Sequence, residues 1–213
     1  LLPNSKRILF AKFRSTRIGH FAPGFHIRYA QKKLKIRKET CLYCFEDKIC
    51  NDFLAKQIKR YFFVNRTIGY ILILCKNLPF LDSLIDKEPF KFQRDLEGIT
   101  QQVRMPEFTY QENQNCMNWL KSYGWKGISQ KIVCIHLRDS AYLKEYFKNT
   151  KYGKMNWEYH SYRNSDIDKF TESINWLLSK DVFIIRTGKT AEKRLKTNSK
   201  NILDYPFCEN KNE

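Results

Sequence analysis

At 213 residues the chain suits one large domain or two small ones, and an apolar fraction of 42% with 16 Phe, 12 Tyr and 4 Trp excludes a globally disordered polypeptide. Lys and Arg number 39 against 22 Asp and Glu, a formal charge of +17, which favours polyanionic neighbours: nucleic acid, an anionic membrane face or a phosphate-bearing substrate. Seven scattered cysteines and no secretory signal at the head fit a reducing, cytoplasmic setting, and a chain that opens on Leu1 reads as a piece of a longer protein.

Ile8 to Ala11 is a short apolar run and reads as a first strand. The segment after it, KFRSTRIGHFAPG, carries Arg14, Arg17, Gly19 and His20, and Pro23-Gly24 is expected to break any helix early. A glycine there would let backbone approach a ligand closely, while the plain alternative is a turn. QKKLKIRK at 31 to 38 reads as a solvated basic face, and Cys41 to Phe45 as a second strand. Phe53, Leu54, Gln57, Ile58, Tyr61 and Phe62 then share one helical face behind an Asn51 or Asp52 cap.

Residues 61 to 81 are the most apolar stretch. The clean run from Ile68 to Cys75 falls far short of the ~20 residues needed to span a bilayer. It reads as a buried core helix, with a basic, aromatic segment resting on a membrane surface as the sharper alternative. Residues 82 to 108 have no clear period and read as a connecting region. Thr109 and Glu112 match a capping box, and Cys116, Trp119, Leu120 and Tyr123 follow at helical spacing before the stop at Gly124.

Ile132 to Ile135 is an unbroken apolar run, the pattern of a strand buried on both faces of a parallel sheet. It ends in His136, Arg138 and Asp139, where ligands sit in open α/β sheets. An Arg there offers a donor fork suited to phosphate, and an Asp could take a proton or hold the Arg; the plain reading is a strand end capped by an Arg–Asp ion pair. Ser140 to Asn164 has no strong period but is rich in hydrogen-bonding groups, including Tyr142, Tyr146, His160, Arg163 and Asn164. Ser165 is expected to cap a helix with Ile167, Phe170, Ile174, Leu177 and Leu178 as its stripe. Val182 to Ile185 reads as another buried strand, ending in Arg186, Thr187, Gly188 and Lys189, and Ile202-Leu203 as a third, ended by Pro206. Strand, crossover helix, strand, short helix and strand open a doubly wound parallel sheet.

Several chemistries find no support. Cys41, Cys44 and Cys50 lack a second CxxC or an HxxxH, so no metal is expected, and GxGxxG, GxSxG and P-loop patterns are missing. No nucleic-acid recognition motif accompanies the basic balance, so nucleic acid is not the expected partner. What remains is a rim of His136, Arg138, Asp139, His160, Arg163, Arg186 and Lys189, and an N-terminal loop with Arg17, Gly19 and His20. Two such units suit a reaction that joins two substrates, one of them phosphorylated.

HLRDSAYL at 136 to 143, YHSYRNSDI at 159 to 167, FIIRTGK at 183 to 189 and RIGHFA at 17 to 22 together resemble a family of bacterial glycosyltransferases of surface-carbohydrate synthesis. The resemblance implies a GT-B-like α/β fold of two Rossmann-like units: residues 1–108 on the acceptor side, with the connecting region, and 109–213 as the start of a nucleotide-sugar-binding domain that lacks later βα units. It implies sugar transfer from a nucleotide-diphosphate donor, without cofactor or metal, to a glycan or glycolipid acceptor. Arg138 would then neutralise the diphosphate, helped by Arg163 and Lys189. The Gly19-His20 loop would line the acceptor side, with Asp139 or His20 as the base. Tyr142, Asn164, Arg186 and Gly188 complete the expected substrate-binding set. The basic charge and residues 61 to 81 would fit a peripheral place on the inner face of an anionic membrane. The rival expectations are a basic module that binds nucleic acid without catalysis, and a catalytically dead remnant kept for interaction.

Overall fold

A computed structural model describes residues 7–87, 98–148, 158–197, 199–209 and 211, with the side chains of 146, 147 and 158–160 outside the described set. The chain divides into two compact units, residues 1–107 and 108–212. Both are α/β with parallel sheets.

In the first unit β1 (Ile8–Phe13) pairs in parallel with β2 (Thr40–Phe45), Ala11 opposite Tyr43. Single parallel bridges extend the sheet on both sides: Val64 pairs with Tyr43, and Ile85 with Phe10. The named strands of this sheet are β1 and β2, with one bridging residue on either side. The period-2 alternation of β1 and β2 serves both faces. Ala11, Phe13 and Tyr43 face α1 (Ile18–Lys33) and α2 (Asp52–Tyr61), where Phe21, Phe25 and Ile58 are fully buried. Phe10, Leu42 and Cys44 face α3 (Thr67–Asn77) through Ile68 and Leu72.

α1 corrects one expectation. It runs unbroken through Pro23 to Lys33. The aromatic anchors Phe21, Phe25 and Tyr29 lock one face into the core, and that burial outweighs the missing Pro23 donor. α2 starts as read, with Asn51 Oδ1 accepting from the Leu54 amide at 2.7 Å. Within the basic run, Lys32 to Ile36 are exposed as expected, but Arg37 turns inward. The connecting region holds more structure than its sequence suggested: a 3-10 segment at Pro79–Leu84, the Ile85 bridge, and α4 (Ile99–Gln102) packed on α1.

The second unit opens with α5 (Tyr110–Ser122), whose capping box is complete: Thr109 accepts from the Glu112 amide at 3.2 Å and Glu112 from the Thr109 amide at 2.9 Å. Gly124 follows at φ 101°, and a Cβ there would lie 2.4 Å from the Lys200 carbonyl oxygen, so only glycine fits. Its sheet is β3 (Ile132–His136), β4 (Phe183–Thr187) and β5 (Ile202–Asp204), parallel and in that order. Leu120 and Trp125 cover Phe183 and Leu203 on one face. On the other, α7 (Thr171–Ser179) packs Ile174 against Val182 and Ile184.

β3 is a second correction. It is an edge strand with Ile132 and Cys134 exposed, because the α5 core reaches β4 and β5 only. The helix before β4 is a third. It comes in two pieces, a 3-10 turn at Ile167–Phe170 and then α7, and Asp166 caps it by accepting from the Asp168 amide. Ser165 instead donates its amide to the Arg138 carbonyl at 2.9 Å. The stretch after β3 folds into α6 (Ala141–Phe147) and a 3-10 segment at Glu158–Arg163, while 149–157 lie outside the described residues.

Candidate functional site

The carboxyl ends of β3 and β4 are tied together by side chains. His136 Nδ1 lies 3.1 Å from Thr187 Oγ1. Three residues further, Asp139 holds the turn into α6: its Oδ1 accepts from the Ala141 amide at 3.0 Å and its Oδ2 from the Glu192 amide at 2.9 Å. Arg186 projects from β4, only 3% exposed, with Asp204 at 3.4 Å, Asp139 at 3.9 Å and the Lys193 carbonyl accepting at 2.6 Å. A buried guanidinium needs partners of this kind, so the Arg186 charge is matched inside the fold.

Between these ends lies a cleft of about 240 Å³ lined by Asp139, Asn164, Ser165, Arg186, Glu192 and Lys193, among others. Lys193 Nζ binds both Asp166 oxygens, at 3.0 and 2.8 Å, and Asp168 at 3.2 Å. Lys193 holds the Asp166 carboxyl below the usual carboxylate range, Lys196 at 3.1 Å and then Lys193 do the same for Asp168, and the two carboxylates push the Lys193 ammonium up. Glu192 is likewise held low, first by Lys144 and then by Ser140.

Arg138 is different. It sits half-buried just past the end of β3, and among the described residues its guanidinium makes no ion pair. Its backbone carbonyl is pinned by Ser165, so the segment that carries it is fixed while the side chain keeps its donors. Arg163 is exposed and stacks on its neighbour Tyr162, 5.1 Å from the ring centre, with Nε donating to the phenol oxygen. Tyr142 lies in the first turn of α6, Gly188 takes φ 141° beside Pro206, and Lys189 is exposed with its carbonyl accepting from Lys211. The His160 side chain lies outside the described set.

In the first unit, Arg17 is the N-cap of α1 and its carbonyl accepts from the His20 and Phe21 amides. Gly19 is in the first helical turn, where a Cβ would meet no atom of the described residues within 4 Å. A small cavity of about 40 Å³ at the carboxyl end of β1 is lined by Lys12, Arg14, Gly19, His20 and Tyr43, among others. His20 is half-buried, and burial, with Arg14 and Arg17 nearby, lowers its pKa below 6.5. The imidazole is therefore neutral at neutral pH and able to accept a proton.

Sequence reading missed Glu192, Lys193, Asp166 and Asp204 as parts of the rim. Their signal is faint: single charges in a polar stretch whose partners lie 9 to 53 positions away along the chain. It also missed Asp86, whose carboxylate is buried between Arg28 at 2.7 Å and Arg37 at 2.9 Å. Among the described residues no group of three or more His, Cys, Asp or Glu is placed to hold a metal ion. No helix among them is long and apolar enough to cross a membrane. Comparison with known protein families, characterised proteins and solved structures gives no match to this chain.

Proposed function

We propose that this chain is a metal-independent glycosyltransferase of GT-B type, moving a sugar from a nucleotide-diphosphate donor to a surface-glycan acceptor. The observation that carries the reading is Arg138. It is a half-buried cation at the carboxyl end of a parallel strand, on a segment pinned by Ser165, with no ion pair among the described residues. Ligands of parallel α/β sheets gather at such strand ends. The neighbouring Arg186 is already matched by Asp139 and Asp204. A guanidinium aimed at a departing diphosphate lowers the barrier by stabilising the charge that develops on it.

The same geometry divides the candidate bases. Both Asp139 oxygens are engaged by backbone amides, which suits a positioning role better than proton transfer. His20, neutral at neutral pH, has the chemistry of a general base.

The test is titration calorimetry of nucleoside diphosphates on the wild-type chain and on Arg138→Ala. The substitution should weaken binding by about 1.5–3 kcal/mol, the range for a charged hydrogen bond, which is roughly 10- to 150-fold. Equal binding by the two proteins would remove Arg138 from the site. Tight binding of duplex DNA that collapses steeply with salt, without nucleotide binding, would favour the basic-module reading instead.

A further inference from the structure

α3 is apolar around its whole circumference, yet it is buried on one side only. Ile68, Leu72 and Cys75 pack inward. Outward stand Tyr70, Ile73 and Leu74, which are 63%, 58% and 53% exposed, and Phe80 just beyond the helix end at 75%. A helix that is hydrophobic all round is ordinarily enclosed, and among the described residues nothing covers this half. Contiguous exposed apolar surface of this kind marks an interaction site.

Charge identifies the covering. From Asn65 to Leu81 there is no Asp or Glu, and the only charged residues are Arg66 before the first turn and Lys76 in the last. Neither makes an ion pair among the described residues. The first acid beyond them, Asp82, is tied to Lys87. Residues 1–107 as a whole carry 21 Lys and Arg against 10 Asp and Glu, which is +11 of the total +17. A second copy of this chain is a poor occupant, because a twofold contact along α3 would set Arg66 and Lys76 against their own counterparts with no carboxylate between them. A bilayer rich in anionic headgroups satisfies both halves of the pattern. The rings and aliphatic groups enter the acyl boundary, while the two end cations meet lipid phosphates.

We infer that the outward face of α3, with Phe80, docks the protein flat on an anionic membrane surface. At 11 residues the helix is about 16 Å long and lies in the interface without crossing it. The inference stands apart from the transferase reading, since it makes no use of Arg138.

The experiment uses the full chain with vesicles of phosphatidylcholine alone or with about one-third phosphatidylglycerol. Co-sedimentation should occur with the anionic vesicles. The double change Ile73→Ser, Leu74→Ser should weaken it at least about tenfold, because each buried aliphatic side chain contributes on the order of one decade. Both residues are exposed, so the thermal melt should be unchanged. Tyr70→Trp should gain fluorescence quenching by bromine-labelled lipids over that of the wild type. Binding that survives the double change, or a Trp at 70 that stays unquenched while the protein is bound, would overturn the docking face. So would a dimer in sedimentation that the double change dissolves, without vesicle binding.

Discussion

The two units solve one problem with opposite charge. In the first, a single carboxylate lies between two guanidiniums: Asp86, 1% exposed at its side chain, with Arg28 at 2.7 Å and Arg37 at 2.9 and 3.2 Å. In the second, a single guanidinium lies between two carboxylates: Arg186 with Asp204 at 3.4 Å and Asp139 at 3.9 Å. The first cluster is tight, and Glu39 lies 4.0 Å from Arg37 at its edge. The second is looser and carries a surplus anion, and its carboxylates also hold backbone amides at Ala141, Glu192 and Leu195. The first therefore works as a pin between Ile85 and α1. The second braces the rim around the candidate site, beside which Arg138 makes no ion pair among the described residues.

That contrast is most easily broken at Asp86. Asp86→Asn should destabilise the first unit by about 3–5 kcal/mol, the cost of leaving buried charge without its partner. Hydrogen exchange resolves the units separately, and the loss should appear in β1 and β2 while β4 keeps its protection. A uniform loss across both would mean that the units unfold together.

Arg186→Met should cost less, about 1–3 kcal/mol. Its partners are 14% and 19% exposed, so water and the backbone amides can take over part of what the guanidinium did. The same change releases Asp139 and loosens the turn that carries Arg138. Affinity for a nucleoside diphosphate should therefore fall along with the stability of β4. If β4 weakened and affinity stayed, the brace would be structural only.

The asymmetry explains what the sequence reveals and what it hides. Elements with strong local signals read correctly: the Thr109–Glu112 capping box, the Asn51 cap, and the apolar runs of β1, β2 and β4. Pro23 misled because proline is a local signal, whereas the burial of Phe21 and Phe25 that overrides it is tertiary. Ile132 to Ile135 misled because an apolar run does not say how many neighbours a strand has, and β3 stands at an edge. At the rim, the residue types at strand ends were legible, but their allegiances were not. Nothing in FIIRTGK separates an Arg that faces solvent from one matched by Asp139 and Asp204, 47 positions before it and 18 after it. Asp86 was hidden for the same reason, as both its partners lie about fifty or more positions away.

The smallest expected effect separates the units by pH. Burial first, and then Arg14 and Arg17, lower the His20 pKa beneath 6.5, against a weaker opposing pull from Glu46. As pH falls through 6.5 the unfolded chain takes up this proton before the folded one, so the first unit loses stability on the acid side of that value. In the second unit the groups held low are carboxylates: Asp166 by Lys193, Asp168 by Lys196 and Lys193, Asp181 by Lys126. Their stabilisation is complete above 3.8 and is lost only as pH drops through their lowered values. Asp166 and Asp181 are exposed and Asp168 is about one-third exposed, 31% at its side chain, so solvent screening keeps that contribution small. Acid should therefore loosen the first unit below pH 6.5 and reach the second only below the ordinary carboxylate values, 3.8 for the aspartates and 4.5 for Glu192. Proton NMR titration of the four histidines, with His20→Asn to assign the resonance, checks the first step. A His20 that titrates at or above 6.5 would mean that Glu46 outweighs burial and the two arginines, and it would take from His20 the neutral form that a base requires.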